Sequence, residues 1–387
     1  MDFELGTAAE ALRHEVRAFL AEHLTEDVYQ EMATTGTYYD AGFAKAMGQR
    51  GWIAPGWPES EGGGGRTWLE QVVLSQELRR AEAPVDGIGT TMLIAETLRI
   101  FGTPEQRATL MGPAVRGEVV IALGYSEPDS GSDAAAARTR ATADGGEWVI
   151  NGEKMFTTLS QVADYVFVLA RTNQEAKKHR GLTTFLVPTT APGFSVSEVK
   201  TMGGERTNIT TYEDVRIPDS LRVGDVDRGW AVACAALELE HGITYAEDME
   251  QILRVAVRAA SEPGDDGIAP IERPSVRARL ARAAVETEMS RLLGLRATWM
   301  QEEGQRPVAQ GSMSKLYSSE AFARIANDLL DIFGPEGSEQ GRGLGEHGLA
   351  KIEHAYRHAQ VTRIYAGTSE IHRSLIAEAG LGLPRTR

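Results

Sequence analysis

The chain has 387 residues, 42% of them hydrophobic and 25% charged, which fits a globular protein too long for one core and built from two or three domains. Its 40 basic and 55 acidic side chains leave a net charge of −15, which excludes the broad basic footprint of sequence-independent nucleic-acid binding and asks any polyanionic ligand to find a local basic pocket. A single cysteine, Cys234, excludes an internal disulfide framework and suits a reducing cytoplasm, and no apolar run approaches the roughly 20 residues that span a bilayer.

The start, MDFELGTAAEALRHE, is acidic and amphipathic and lacks the apolar stretch of a signal peptide. Residues 1–118 read as a helical domain. Leu12, Val16, Phe19 and Leu20 recur at helical spacing. The stretch RGWIAPGWPESEGGGGRTW has a Gly run without a Walker Lys-Ser/Thr and reads as a flexible surface loop. Helical patterns resume over 68–82, 88–101 and 104–116, the last after a Thr103–Pro104 start signal.

Near residue 119 the character changes to short segments rich in β-branched and aromatic residues, and 119–229 reads as a β-domain. GEWVINGEK alternates as a half-buried strand should, and Asn151–Gly152 within it is a tight-turn signal. From Gly229–Trp230 the pattern is helical again, giving a third domain over 230–387. Leu292, Leu295 and Trp299 form one stripe there, and Phe322, Ile325 and Leu329 another. SEPGDDGIAP breaks two long helices, and Cys234 reads as a buried helix residue with no activating base nearby.

Three short stretches carry chemistry. LGYSEPDSGSD (123–133) leaves a strand and packs Ser126, Ser130, Gly131 and Ser132 into one turn. Such a turn offers N–H groups and hydroxyls to a polar ring or a phosphate, and is also what an ordinary loop contains. NGEKMFTTLS (151–160) places Thr158 two residues after Phe156, on one side of a strand. That suits a flat heteroaromatic ligand, or equally a strand with a core Phe. RIYAGTSEIHRSLI (363–376) is an extended turn entering a helix, with Gly367 for the turn, Thr368 and Ser369 as N-cap types, and the inert Ala366 in the middle. The AKKHRG segment (176–181) is a compact basic cluster, either a contact for phosphates or a solvated hairpin tip.

Together these stretches resemble the acyl-CoA dehydrogenase family of flavoproteins over nearly the whole chain. The resemblance rests on Y-S-E-P-x-x-G-S-D, N-G-E-K-M-aromatic-x-T, I-Y-x-G-T-S-E-I and the helix–β–helix order. It implies an α+β fold with an N-terminal helical domain, a middle β-barrel or sandwich domain and a C-terminal four-helix bundle. It also implies FAD between the β-domain and the C-terminal helices, with a second subunit contributing to the adenine end. The family's reaction removes hydrogens from Cα and Cβ of an acyl-CoA: a carboxylate takes the α-proton while flavin N5 accepts the β-hydride. Carried onto this chain, Leu123, Ser126 and Ser132 line the flavin or the pantetheine tunnel. Phe156 stands where Trp is more usual against the isoalloxazine, and Thr158 bonds near N5. Phe333, Gly334, Gly337, Thr368 and Glu370 match other FAD contacts. Ser132, Glu238, His241, Ala366 and Gly367 fall around the acyl-CoA. No metal is implied.

The chain departs from the family pattern at three places. Pro335 and Glu336 interrupt the glycine-rich dinucleotide contact, and Pro335 removes a backbone donor. The family's Arg-x-x-Phe-Gly is not recognisable in IAPIERPSVRARL. Ala366 stands where many members carry their catalytic Glu. A subset of the family instead bears its base on the first long helix of the C-terminal domain, and the matching residue in CAALELEHGITYAED is Glu240. Glu238 lies about 200° round that helix from it, and Glu247 shares its face about 10 Å along the axis. His241 follows where an Arg is common, either tuning the site or structural. In the family the thioester carbonyl is polarised by a flavin ribityl hydroxyl and the base residue's own N–H.

Within the family the chain is most similar to actinobacterial steroid side-chain dehydrogenases, through YSEP, KKHRGL…LVPTT, MGGERTN, the helix-borne Glu240 and LGLPR. The resemblance implies a homotetramer or an α2β2 heterotetramer, a bulky acyl-CoA and an electron-transferring flavoprotein as acceptor. The alternative is a catalytically incomplete subunit that completes FAD or substrate binding in a partner chain.

Overall fold

The computed structural model of the chain describes residues 6–238, 244–264, 267–335 and 348–384. The apolar stripe of the first helix, α1 (Gly6–His23), decides how the N-terminal helices assemble. Helices α2 (Glu26–Thr35), α3 (Ala41–Gln49), α4 (Trp68–Arg80), α5 (Ile88–Phe101) and α6 (Pro104–Val115) follow it. Leu12, Val16, Phe19 and Leu20 are buried against Phe43 and Met47 of α3 and Leu74 and Leu78 of α4. Helices α4 and α6 each begin at a reciprocal cap, Thr67 with Glu70 and Thr103 with Gln106, which satisfies two orphan N–H groups at each end.

The Gly- and Trp-rich stretch between α3 and α4 does not lie over the surface as expected. Trp52, Ile53, Ala54 and Trp57 are buried, and Trp52 packs edge-on to Phe19 with centroids 5.1 Å apart. Four large or apolar side chains in a loop bury more surface than its glycines expose, so the stretch folds inward.

The middle of the chain forms one mixed sheet: β1 (Ile121–Gly124), β2 (Arg140–Asp144), β3 (Glu147–Met155), β4 (Tyr165–Arg171), β5 (Leu182–Pro188), β6 (Phe194–Lys200), β7 (Arg206–Pro218) and β8 (Arg222–Val223). The order is β6-β7-β3-β2-β4-β5-β8, with β1 parallel to β4. Strand β4 is apolar on both faces. Val166, Val168 and Ala170 join Trp148, Ile150, Phe185 and Tyr212 in one core, while Phe167 and Leu169 meet Leu93, Leu98 and Val232 in another. Trp148 of β3 touches Phe185 of β5 at 5.2 Å although β2 and β4 intervene in the ladder. The sheet therefore curls round its inner core, as the barrel or sandwich expectation requires.

The turn between β2 and β3 is Gly145–Gly146, with φ 59° and 90°, the two positive values that a two-residue I′ hairpin needs. Asn151–Gly152 is not a turn. It lies inside β3 at a bulge opposite β7, where Asn151 exchanges side-chain hydrogen bonds with Asp214 at 2.9 Å. Gly152 has φ 146°, and a Cβ there would sit 2.7 Å from Thr139 Cα. The Asn-Gly pair thus signals a bend within a strand.

The third part comprises α7 (Gly229–Glu238), α8 (Ala246–Ser261), α9 (Pro274–Glu302), α10 (Val308–Phe333), α11 (Leu349–Thr362) and α12 (Ser369–Leu375). Helices α8–α11 make the four-helix bundle, its core filled by Met249, Ile252, Leu280, Phe322, Leu329 and Ile352. Of the two predicted stripes, Phe322, Ile325 and Leu329 are buried, whereas Trp299 is exposed. Cys234 is only half-buried in α7. The expectation that Glu240 and Glu247 share one helix is also corrected. Thr244 and Tyr245 are not helical, and the Thr244 hydroxyl accepts from Ala246 N–H (3.3 Å), so α8 starts afresh with Glu247 in its first turn. Among the described residues no helix is long and apolar enough to cross a membrane.

The bulge supplies a direct test. Gly152→Ala adds a methyl against backbone at a φ that L side chains rarely adopt. The expected loss is about 2 kcal/mol or more, read as a lower urea midpoint.

Candidate active site

A cleft of roughly 2030 Å³ opens between α4 and α5, the ends of β1 and β3, the β6–β7 loop, α7, α8, α11 and the turn before α12. Its first wall is built on a buried ion pair. Lys154 Nζ, with no exposed surface, donates to Glu127 Oε1 (2.8 Å), Leu169 O (2.6 Å) and Tyr125 O (3.3 Å). The same carboxylate accepts from the N–H groups of Arg138 (2.7 Å) and Thr139 (2.9 Å). Burial pushes the Lys154 ammonium down to about 8, against the pull of Glu127. Burial also works against the Glu127 carboxylate, but Lys154 and the two N–H donors outweigh it and hold it below its ordinary value. The Glu of Y-S-E-P and the Lys of N-G-E-K thus lock the two motif loops together, and Met155 N–H to Ser126 O (2.9 Å) adds a backbone tie.

This lock brings Leu123, Ser126, Ser132, Phe156 and Thr158 onto one wall. Phe156 and Thr158 do not share a strand face as expected, because β3 ends at Met155. Phe156 and Leu159 have φ 61° and 66°, which turns the chain outward. Thr157 is buried, its N–H held by Asn208 O (2.9 Å), and the Thr158 hydroxyl pairs with that of Thr207 (3.0 Å). Phe156 is 58% exposed. An aromatic ring held off the core, on a backbone conformation costing about 1–2 kcal/mol, is a prepared surface for a flat ligand. With hydroxyls beside it, the wall fits a flavin ring.

The facing turn is pinned from two sides. Ala366 and Gly367 have φ 50° and 87°. Lys315 Nζ donates to Gly367 O (2.6 Å), and His372 Nε2 donates to Ala366 O (3.0 Å). Thr368 caps α12 by accepting from Ile371 N–H (3.3 Å). Ala366, Gly367 and Thr368 all line the cleft. Phe333, Gly334 and Glu370 do not: Phe333 packs on the bundle, Gly334 ends α10, and Glu370 is an exposed carboxylate 3.8 Å from Arg373. Glu240, His241, Gly337 and the Glu238 side chain lie outside the described residues, as does Glu336. The AKKHRG tip is exposed; Lys178 pairs with Asp133 at the end of the serine loop, and the His179 ring sits 5.0 Å from that of Trp230.

One end of the cleft holds charged groups that the motifs did not point to. Arg79 reaches Asp248 (3.6 Å) and Thr244 O (3.4 Å) with its guanidinium over the Tyr245 ring. Glu205 accepts from the Thr201 hydroxyl (2.8 Å), takes His358 Nδ1 at 2.5 Å and lies 3.6 Å from His354 Nε2. Burial would raise Glu205, but both imidazoles and the hydroxyl hold it well below the usual carboxylate range. Burial opposes charge on His358, yet its bond to Glu205 raises it above its ordinary value. Burial pushes Glu247 up, countered in part by Arg79. Two sequence signals were available: His354 and His358 lie four apart on one helix face, and Asp86–Gly87 marks the turn between α4 and α5.

The comparisons with known proteins agree with this geometry. Models of the acyl-CoA dehydrogenase N-terminal, middle and C-terminal domains match residues 7–118, 122–215 and 227–381. The chain is 33% identical over 390 residues to acyl-CoA dehydrogenase FadE26 of Mycobacterium tuberculosis, covering 97% of both. Among solved structures, the ChsE4–ChsE5 complex of Mycobacterium tuberculosis superposes with a TM-score of 0.90 at 32% identity, covering 100% of both chains. The Tcur3481–Tcur3483 steroid acyl-CoA dehydrogenase superposes at 0.86 with 32% identity, covering 99% of this chain and 100% of the other. The chain belongs to the acyl-CoA dehydrogenase family, whose cofactor is FAD. It is an oxidoreductase acting on acyl-CoA thioesters.

The Glu205–His358 pair has a defined pH signature. Glu205 contributes stability fully above its ordinary 4.5 and loses it as pH falls. His358 contributes fully below its ordinary 6.5 and loses it as pH rises through its raised value. The melting-temperature gap between the wild type and Glu205→Gln is therefore expected to be widest between pH 4.5 and 6.5 and to narrow above it. A gap constant from pH 5 to 9 would contradict the assignment.

Proposed function

We propose that this chain oxidises the Cα–Cβ bond of a bulky, steroid-derived acyl-CoA, with Glu240 as the base, in a heteromeric assembly. The observation that carries the assignment of the base is the cleft's own outline. Ala366 presents only a methyl group there, while Leu237 and Thr244, the described residues closest to Glu240 on either side that line the cleft, bracket it in sequence. Abstraction of an α-proton needs a carboxylate within hydrogen-bond reach, and Glu240 is the acidic residue that this stretch shares with the helix-borne pattern. Steroid substrate and heteromeric assembly are supported by the solved neighbours, one named as a steroid enzyme and both named as pairs of proteins.

Phe156 would hold the flat ring, with the hydroxyls of Thr158, Ser126 and Ser132 at its polar edges. Bound FAD supplies the acceptor for the hydride leaving Cβ. The chain's own residues do the rest. Glu240 takes the α-proton, and the Ala366–Gly367 turn, fixed by Lys315 and His372, bounds the space for the thioester. The small side chain at 366 leaves room for a wide acyl group. Phe333, Gly334, Gly337 and Glu370 serve the adenine end of FAD across a subunit boundary, and an electron-transferring flavoprotein takes the electrons.

A second reading is a half-site subunit that completes FAD binding in a partner. It is favoured by Pro335, which removes a donor from the dinucleotide contact, and by the position of Phe333 and Gly334 off this chain's own cleft. The test of the main reading is Glu240→Gln. It is expected to lower kcat by about 10²- to 10⁴-fold, with the flavin absorbance of the purified protein retained. Full activity in that variant, with loss on Glu247→Gln instead, would move the base to α8.

A further inference from the structure

Asp86 is a carboxylate at the charged end of the cleft whose position the reaction does not explain. It sits in the turn between α4 and α5, with its N–H on Tyr38 O (3.0 Å) and its carbonyl accepting from Ile88 N–H (2.9 Å). Gly87 beside it packs so tightly that a Cβ would lie 2.6 Å from Leu159 Cδ1, which fixes the turn against the Phe156–Leu159 segment. The side chain is exposed to the cleft and lines it. Among the described residues its carboxylate makes no hydrogen bond or ion pair. The nearby cations are committed elsewhere, Arg79 to Asp248 and His358 to Glu205. Asp86 is therefore a surplus acceptor on the wall of the cleft.

We infer that Asp86 is a specificity-determining residue that accepts a hydrogen bond from a hydroxyl group carried by the acyl portion of the substrate. The inference rests on the reading of this cleft as the acyl-CoA site. An ionised carboxylate only accepts, so its partner must be a donor. A plain hydrocarbon laid over it would strip its water and return nothing, the most expensive arrangement for a charged group. A ligand ammonium would share Asp86 with the imidazole of His358 and the guanidinium of Arg79, both of which already act on it. A neutral alcohol meets neither penalty. The protein packed around the cleft wall, and to a lesser degree Glu205, push Asp86 up to about 6 against the pull of His358 and Arg79.

The experiment uses the FAD-loaded protein, in its native assembly, and two CoA thioesters of the same ring skeleton that differ only by one ring hydroxyl. The wild type is expected to favour the hydroxylated thioester by about 10- to 100-fold in kcat/KM. Asp86→Leu collapses that ratio toward one. Asp86→Asn, whose amide oxygen still accepts, keeps part of it and guards against a folding defect in the leucine variant. Equal turnover of the two thioesters by the wild type overturns the inference alone. So does loss of turnover in Asp86→Asn by the same factor for both, which would make Asp86 part of the chemistry. Failure of every thioester to bleach the flavin overturns the underlying reading as well.

Discussion

The Glu127–Lys154 pair is the interaction on which the rest of the site depends. Two charges are taken out of water in the middle of the molecule, and the cost is met only because each is surrounded by partners: three acceptors for the ammonium, three donors for the carboxylate. Removing one member would strand the other at about 3–5 kcal/mol. The pair spans the loop after β1, the start of β2 and the end of β3, so one buried contact sets the positions of the serine turn and of the Phe156–Thr158 segment. The sheet beneath is rigid because β4 is buried on both faces, which gives the pair a fixed base.

The opposite wall is held differently. There the backbone is strained at Ala366, whose φ of 50° is costly for a residue with a Cβ, and a lysine and a histidine on the carbonyls of Gly367 and Ala366 keep the turn in place. A prepared aromatic surface on one side and a pinned turn on the other leave a cleft whose width is set by backbone geometry. Its charged end, with Arg79, Asp86, Glu205 and His358, is unlike the hydrocarbon lining that a straight-chain acyl group would favour. These features suit the wide, partly polar acyl pocket proposed above.

Much of this was legible in the chain. The α1 stripe, the start signal at Thr103–Pro104, the β-branched middle and the bundle stripe at Phe322, Ile325 and Leu329 are local patterns, and local patterns report local structure. The motif loops were legible as ligand-facing, but their lock was not. Glu127 and Lys154 are 27 residues apart, and nothing in either segment says that a lysine will be buried. The bulge at Asn151–Gly152 is not legible, because Asn-Gly permits positive φ without saying whether a turn or a kink will use it. The outward turn at Phe156 is equally hidden, because alternation carries no sign of where a strand stops. The charged end of the cleft came from four separate segments brought together only by the tertiary fold.

The most direct test of the account is the affinity of the apoprotein for FAD in Lys154→Met, followed by quenching of flavin fluorescence. The methionine fills much of the lysine's volume but offers no donor, so Glu127 loses its partner and the two motif loops lose their common anchor. The account predicts FAD binding weakened by about tenfold or more with the far-UV circular dichroism largely kept. Wild-type affinity in that variant would contradict the claim that this buried pair positions the cofactor wall.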